Sequence, residues 1–185
     1  MSPTKSELKG NSDFTSHEGV QAVLEADRER EWTDGFINAQ INGKDTSVKT
    51  RATNAMSIYA ALKSEVDYGS PSTKFLALRD RQGNTQALAS YEEAKENKSI
   101  YVGFLVTAPW NITKDDPKTT KGSGTEAIIS LIEKSRNLGY GGKITLVPLA
   151  NAIPFYSKLG FKEVGIEMEL TPENADKLLK NLGRI

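Results

Sequence analysis

No cysteine occurs in this sequence, and His17 is its only histidine. Disulfides, thiolate nucleophiles and cysteine-ligated zinc are therefore excluded, a Ser-His-Asp hydrolase is disfavoured, and no metal centre is expected. Net charge is missing too: 24 Lys and Arg balance 24 Asp and Glu, which argues against nucleic acid or a membrane surface as partner. The chain carries no long apolar run and no secretory leader, so the expectation is a cytoplasmic protein. A G-x-x-x-x-G-K-[ST] phosphate loop is absent, and no acidic residue is placed for a dinucleotide ribose after a strand-turn-helix start. Internal repeats and low-complexity tracts are absent as well.

What remains is a chain of 185 residues, 37% hydrophobic and 26% charged, which suffices for one substantial core. Residues 1–14 are polar and turn-rich and read as a flexible arm, leaving 15–185 as a single domain. Thr15-Ser16-His17-Glu18 has the capping-box pattern and predicts a helix start, with Val20, Val23 and Leu24 as its apolar stripe. The stripe fades into Asp27-Arg28-Glu29-Arg30-Glu31, read as a solvated helix face, and residues 32–45 read as a loop. Ala55, Met56, Tyr59, Leu62 and Val66 mark a second helix over 48–66. The period then changes to two: residues 74–79 and 85–91 flank Asp80-Arg81-Gln82-Gly83-Asn84, a hairpin signal, and residues 99–107 form a third strand. Near the end, Val164, Ile166, Met168 and Leu170 alternate with Glu163, Gly165, Glu167 and Glu169 as one half-exposed strand, and Thr171-Pro172 opens an amphipathic helix closed by Gly183.

Two segments carry chemistry. Lys121-Gly122-Ser123-Gly124-Thr125 opens a stretch in which Ile128, Leu131, Ile132 and Leu138 recur at helical spacing. A helix N-terminus offers free N–H groups and a positive dipole end, and glycine lets a phosphate approach the backbone, although the same pattern also serves as a plain loop. Residues 142–149 read as a buried strand, after which Asn151 is placed as an N-cap, Pro154 sits in a first turn, and Leu159-Gly160 ends a short helix. Phe155 and Leu159 are core candidates for that helix. Tyr156 is either core or a functional phenol.

Taken together, Asn151-Ala152-Ile153-Pro154-Phe155-Tyr156-Ser157-Lys158-Leu159-Gly160-Phe161 and the Gly122–Gly124 turn resemble the acyl-CoA-binding signature of the GNAT superfamily of N-acetyltransferases. The resemblance spans roughly residues 15–170, with its specific part from Leu105 to Phe161. It implies an α/β (α+β) fold with a mixed, mostly antiparallel central sheet flanked by helices and a splayed strand pair forming the acyl-CoA cleft. It also implies transfer of an acetyl or short acyl group from acetyl-CoA to the primary amine of a small-molecule or peptide acceptor, by a monomer or homodimer. Leu105, Val106 and Thr107 would hold pantetheine and polarise the thioester, and Lys121, Gly122, Ser123, Gly124 and Thr125 would take the pyrophosphate with Lys118 nearby. Asn151 would face the pantetheine arm and Tyr156 the coenzyme sulfur as proton donor. The departures are Pro154 in an alanine place, no strand before the Thr15 helix, a long connection over 110–121, and Thr119 in the Arg/Gln place of R/Q-x-x-G-x-G/A.

The general base stays unassigned. Relatives often carry a glutamate on the central strand, but Tyr101, Gly103 and Leu105 occupy that face here. Glu92 and Glu93 are either bases acting through water or solvated turn carboxylates. The acceptor would be shaped by residues 15–69, where Trp32, Phe36, Tyr59 and Tyr68 are core in preference to a cleft lining. A non-catalytic CoA-binding module is the alternative.

Overall fold

The computed structural model describes residues 8–11 and 13–185. Of the expected arm, residues 1–7 and 12 lie outside the described residues. The chain divides into two compact units: Asp13–Glu92 with Val102–Ala127, and Glu93–Tyr101 with Ile128–Ile185 and the described N-terminal residues. Its seven strands run in the order β1-β2-β3-β4-β5-β7-β6 within one mostly antiparallel sheet flanked by helices, as expected.

The larger unit opens with β1 (Phe14–Glu18), α1 (Val20–Ala26), α2 (Glu31–Asn42) and α3 (Thr46–Tyr68). It continues through β2 (Lys74–Asp80), most of β3 (Thr85–Ala94) and of β4 (Ser99–Thr107), then the short α4 (Trp110–Thr113) and the start of α5 (Ser123–Asn137). Three expectations are corrected here. Thr15–Glu18 is not a helix start but the edge strand β1, paired antiparallel with β2 so that His17 lies opposite Ala77. Exposed side chains on an edge give no alternation for a sequence pattern to detect, and pairing to β2 decides the outcome.

The charge run at 27–31 is a break rather than a helix face, with Glu29 and Arg30 both left-handed. Residues 31–42 then form α2 instead of a loop, because Trp32, Phe36 and Ala39 recur at helical spacing and are buried. Gly35 conceals that helix in the sequence, yet it is required: a Cβ there would stand 2.6 Å from Pro109 Cγ. Trp32, Phe36, Tyr59 and Trp110 pack edge-on or tilted, at centroid separations of 5.3–6.2 Å, within a cluster completed by Val23, Val48, Leu62, Phe75, Leu88 and Val106. The core reading of these aromatics holds, while Tyr68 is 86% exposed.

The smaller unit holds most of α5, then β5 (Ile144–Leu146), α6 (Ile153–Lys158), β6 (Lys162–Val164), β7 (Glu167–Leu170) and α7 (Pro172–Asn181). The strand expected over 142–149 is therefore only three residues long. The expected closing strand is in fact a hairpin, β6 and β7, in which Glu163 lies opposite Met168. Gly165, at φ +64°, makes the reversal. A tight reversal swaps the face on which a given sequence parity falls, so Met168 and Leu170 are buried while Val164 and Ile166 are exposed. Thr171 caps α7 by accepting the Asn174 N–H at 3.2 Å, and the Asn174 amide donates to the Gly160 carbonyl at 2.9 Å. Lys9 N–H donates to the Arg184 carbonyl at 2.8 Å.

Candidate functional site

In the larger unit the C-terminal end of β4 is fixed by a bulge in β3. Leu78 lies opposite Ala87 and Arg79 opposite Thr85, so Gln86 is the extra residue, and a bulge re-aims the side chain it carries. The Gln86 side chain is fully buried. Its Nε2 donates to Asp80 Oδ2 at 2.8 Å and to the Lys118 carbonyl at 2.9 Å, while its Oε1 accepts from Trp110 Nε1 at 3.0 Å and Asn111 Nδ2 at 2.9 Å. Its own carbonyl accepts the Ala108 N–H at 3.0 Å, holding the chain just past Leu105, Val106 and Thr107. Val106 is in the core, Leu105 packs on Leu78, Ala87 and Ala127, and Thr107 is half-buried.

This network runs through the long connection over 110–121, which opens with the short helix α4. Asn111 Oδ1 accepts the Thr120 N–H at 2.9 Å, Thr119 Oγ1 donates to the Trp110 carbonyl at 2.9 Å, and the Asn111 amide reaches Ser123 Oγ at 3.3 Å. Asp80 anchors it. Burial opposes ionisation of this carboxyl, but hydrogen bonds from the Asn84 and Gln86 side chains and from the Asn84 and Gln82 N–H groups outweigh burial and hold its pKa below the ordinary value.

The connection delivers the chain to α5, which begins at Ser123. Gly122 immediately precedes it at φ +86°, a conformation that side chains rarely adopt, and nothing lies within 4 Å of where its Cβ would stand. Lys121 and Gly122 are exposed, Ser123 is buried, and Gly124 and Thr125 are half-buried. A backbone approach by a phosphate therefore fits Gly122, whereas the Ser123 hydroxyl already accepts from Asn111. Lys118, expected near this turn, has partners of its own. Its ammonium donates to Glu31 and lies 4.9 Å from the Trp110 ring centroid, and the Glu31 hydrogen bond raises its pKa despite partial desolvation.

In the smaller unit, Asn151 is not the N-cap of α6. Residues 150–152 form a separate turn, α6 starts at Ile153, and the Asn151 side chain is exposed. Pro154 lies in the first turn of α6 as expected. Tyr156 is only 8% exposed and packs edge-on against Phe155 and Phe161, at 5.1 and 5.3 Å. Burial pushes its phenol up to about 12. It is therefore fully protonated at neutral pH, which suits a hydrogen-bond donor. Complete proton transfer to a thiolate would be uphill, since a thiol is the stronger acid.

No family model matches the chain, and no curated protein matches it. Solved structures do. A crystal structure assigned to an acetyltransferase aligns over 97% of this chain and 97% of its own, at TM-score 0.56 and 10% identity. The dodecameric spermidine N-acetyltransferase of Vibrio cholerae aligns over 88% of this chain and 96% of its own, at TM-score 0.51 and 16% identity. The chain has the GNAT fold. Alignment with nourseothricin acetyltransferase covers 54% of this chain and 65% of that one, at TM-score 0.45 and 18% identity, so the chain spans about two thirds of that enzyme.

Within the GNAT fold the larger unit contains Leu105, Val106, Thr107 and Lys121 to Thr125, and the smaller contains Asn151 and Tyr156. The sequence reading missed Asp80, Gln86, Trp110 and Asn111, which shape the approach to α5. The available signal was Gln86 itself, a long amide followed by the small and apolar run Ala87-Leu88-Ala89-Ser90. Glu92, on β3, accepts from Thr73 Oγ1 at 3.0 Å and Ser72 Oγ at 3.3 Å, which ties it to the segment just before β2. Among the described residues, no group of three or more His, Asp or Glu could hold a metal, and no helix is long and apolar enough to cross a membrane.

Proposed function

We propose that this chain is an acyl-CoA-dependent N-acetyltransferase, with residues 15–185 as its acyltransferase domain. It transfers an acetyl or short acyl group from acetyl-CoA directly to the primary amine of a small-molecule or peptide acceptor. The observation that carries this reading is Gly122: on a GNAT fold, a left-handed glycine with open space beside it directly precedes the 15-residue helix α5. Gly122 and Gly124 receive the pyrophosphate through backbone N–H groups, Ser123 and Thr125 frame the turn, and Lys121 adds charge. The backbone of Leu105, Val106 and Thr107 holds pantetheine and polarises the thioester, Asn151 faces the pantetheine arm, and Tyr156 donates to the sulfur.

Catalysis then needs little covalent help from the protein. Orientation of the amine, stabilisation of the oxyanion and hydrogen bonding to the departing sulfur supply the rate. A second reading, a CoA-binding sensor or partner module without catalysis, is favoured by Thr119 standing in the Arg/Gln place with its hydroxyl committed to the Trp110 carbonyl. An acetyl-CoA thiol-release assay against spermidine, tyramine and a lysine-containing peptide separates the two, run beside calorimetric titration with CoA. Binding without thiol release supports the module. Absence of CoA binding overturns both.

A further inference from the structure

On β4, Gly103 stands two residues before Leu105. A Cβ built on it would come within 3.0 Å of Ser90 Oγ, 3.4 Å of Glu65 Oε1 and 3.8 Å of Glu65 Oε2. The space beside this strand position is therefore bounded by the Ser90 hydroxyl, the tightest contact, and by the Glu65 carboxyl from the C-terminal turn of α3, so a side chain longer than a methyl would meet both. Ser90 is fully buried and its hydroxyl is engaged by the Phe104 N–H at 3.2 Å, so the strand beneath Glu65 is fixed.

Glu65 Oε2 is buried and has no hydrogen-bond partner. Only two other buried side-chain atoms share that condition among the described residues, Trp32 Nε1 and Tyr59 Oη, and both belong to the aromatic core. Of the three, Glu65 Oε2 alone belongs to a carboxyl group. Native proteins seldom leave such an oxygen unpaired unless something else completes it, and an ammonium is the natural complement of a carboxylate.

Resting on the acyl-transfer reading above, we infer that Glu65 is the group that binds the acceptor ammonium and takes its proton. A primary amine with a pKa near ~10.4 arrives as R–NH3+ at neutral pH and has no lone pair to attack with. Glu65 accepts one proton, directly or through one water, and the freed lone pair forms the C–N bond at the thioester carbonyl carbon. The C–S bond then breaks, the sulfur ends with the second proton that nitrogen loses, and Glu65 returns its own proton to solvent. The general base of this chain thus comes from α3 rather than from β4, whose Gly103 makes room for it.

The test compares wild type, Glu65→Gln and Glu65→Asp in single-turnover acyl transfer at saturating acetyl-CoA. The amine is whichever of spermidine, tyramine and the lysine peptide the wild type uses fastest, and CoA affinity and melting temperature are measured alongside. E65Q should slow transfer by ~10²- to 10⁴-fold with CoA affinity unchanged. E65D, which keeps the charge but withdraws it by one methylene, should slow it by about 10- to 10²-fold. An E65Q rate equal to wild type overturns the assignment. Where E65Q does not fold, E65D decides: a folded E65D at the wild-type rate overturns it, and a slowed one with unchanged CoA affinity supports it. A wild type that binds CoA yet acylates none of the three amines overturns the acyl-transfer reading and Glu65 with it, a result distinct from an active wild type matched by E65Q.

Discussion

Replacing Gln86 with leucine tests the idea that one bulged residue holds the chain leading into α5. Leucine approximates the volume of glutamine but offers no polar atoms, so the loss can be traced partner by partner. Asp80 Oδ2 keeps the Asn84 Nδ2 bond at 3.0 Å, and Asn111 Nδ2 keeps the Gln86 carbonyl and Ser123 Oγ, both at 3.3 Å. The Lys118 carbonyl keeps the Thr120 hydroxyl, which donates to it at 3.1 Å, and only Trp110 Nε1 is left without a partner. One orphaned group gives a destabilisation of about 1–3 kcal/mol. That is a substantial part of the ~5–15 kcal/mol that a folded chain has. At about 2–4 °C per kcal/mol for a chain of this size, the melting temperature should fall by roughly 2–12 °C in differential scanning fluorimetry. CoA affinity, measured by calorimetry below the melting transition, should fall with it, because the strut that sets Gly122 is gone. Gln86→Glu is the companion variant: it keeps acceptors for Trp110 and Asn111 but brings a second carboxylate against Asp80, so its defect should shrink as pH is lowered toward ~4. A Gln86→Leu protein that melts within about 1 °C of wild type and binds CoA equally well would refute this account.

Three further outcomes are expected. Gly122→Val, placed where φ is +86° and a phosphate would approach, should weaken CoA binding at least ~10-fold for a strain cost of about 1–3 kcal/mol; calorimetry showing an unchanged Kd would remove the pyrophosphate from this turn. Tyr156→Phe keeps the packing on Phe155 and Phe161, so single-turnover acyl transfer should slow by ~10²-fold or more with acyl-CoA affinity unaltered, whereas a stability loss at an unchanged rate would make Tyr156 a core residue only. Asp80 has a depressed folded-state pKa, so its stabilisation is present above the unfolded value near ~3.9 and is lost as pH falls through the lower folded value; Asp80→Asn should reduce the difference in melting temperature between pH 7 and pH 3, and an undiminished difference would show that other carboxyls carry the acid sensitivity.

Elements whose signal is local and repeated are legible in the residues alone. The β4 bounds match the period-two run at 99–107, α5 starts where the glycine pair meets a helical stripe, and the 74–91 hairpin is readable from its Asp-Arg-Gln-Gly-Asn turn. There the side-chain period and the turn residues agree, and no distant contact is needed to choose between conformations.

Tertiary structure decided the rest. Thr15–Glu18 satisfied a helix cap and a strand equally, and hydrogen bonding to β2 selected the strand. A helix over 31–42 required a glycine that looks like a breaker until Pro109 is packed against it, and a two-residue reversal at Gly165–Ile166 preserved the alternation of one strand while making two. The chemistry-bearing groups follow the same rule. Glycine at 122 and tyrosine at 156 were visible because residue type alone suggests their use. Gln86 and Glu65 were not, since a bulge aims the one and an absent side chain at Gly103 makes room for the other. Both facts concern what a residue faces, which depends on packing between segments far apart in the chain.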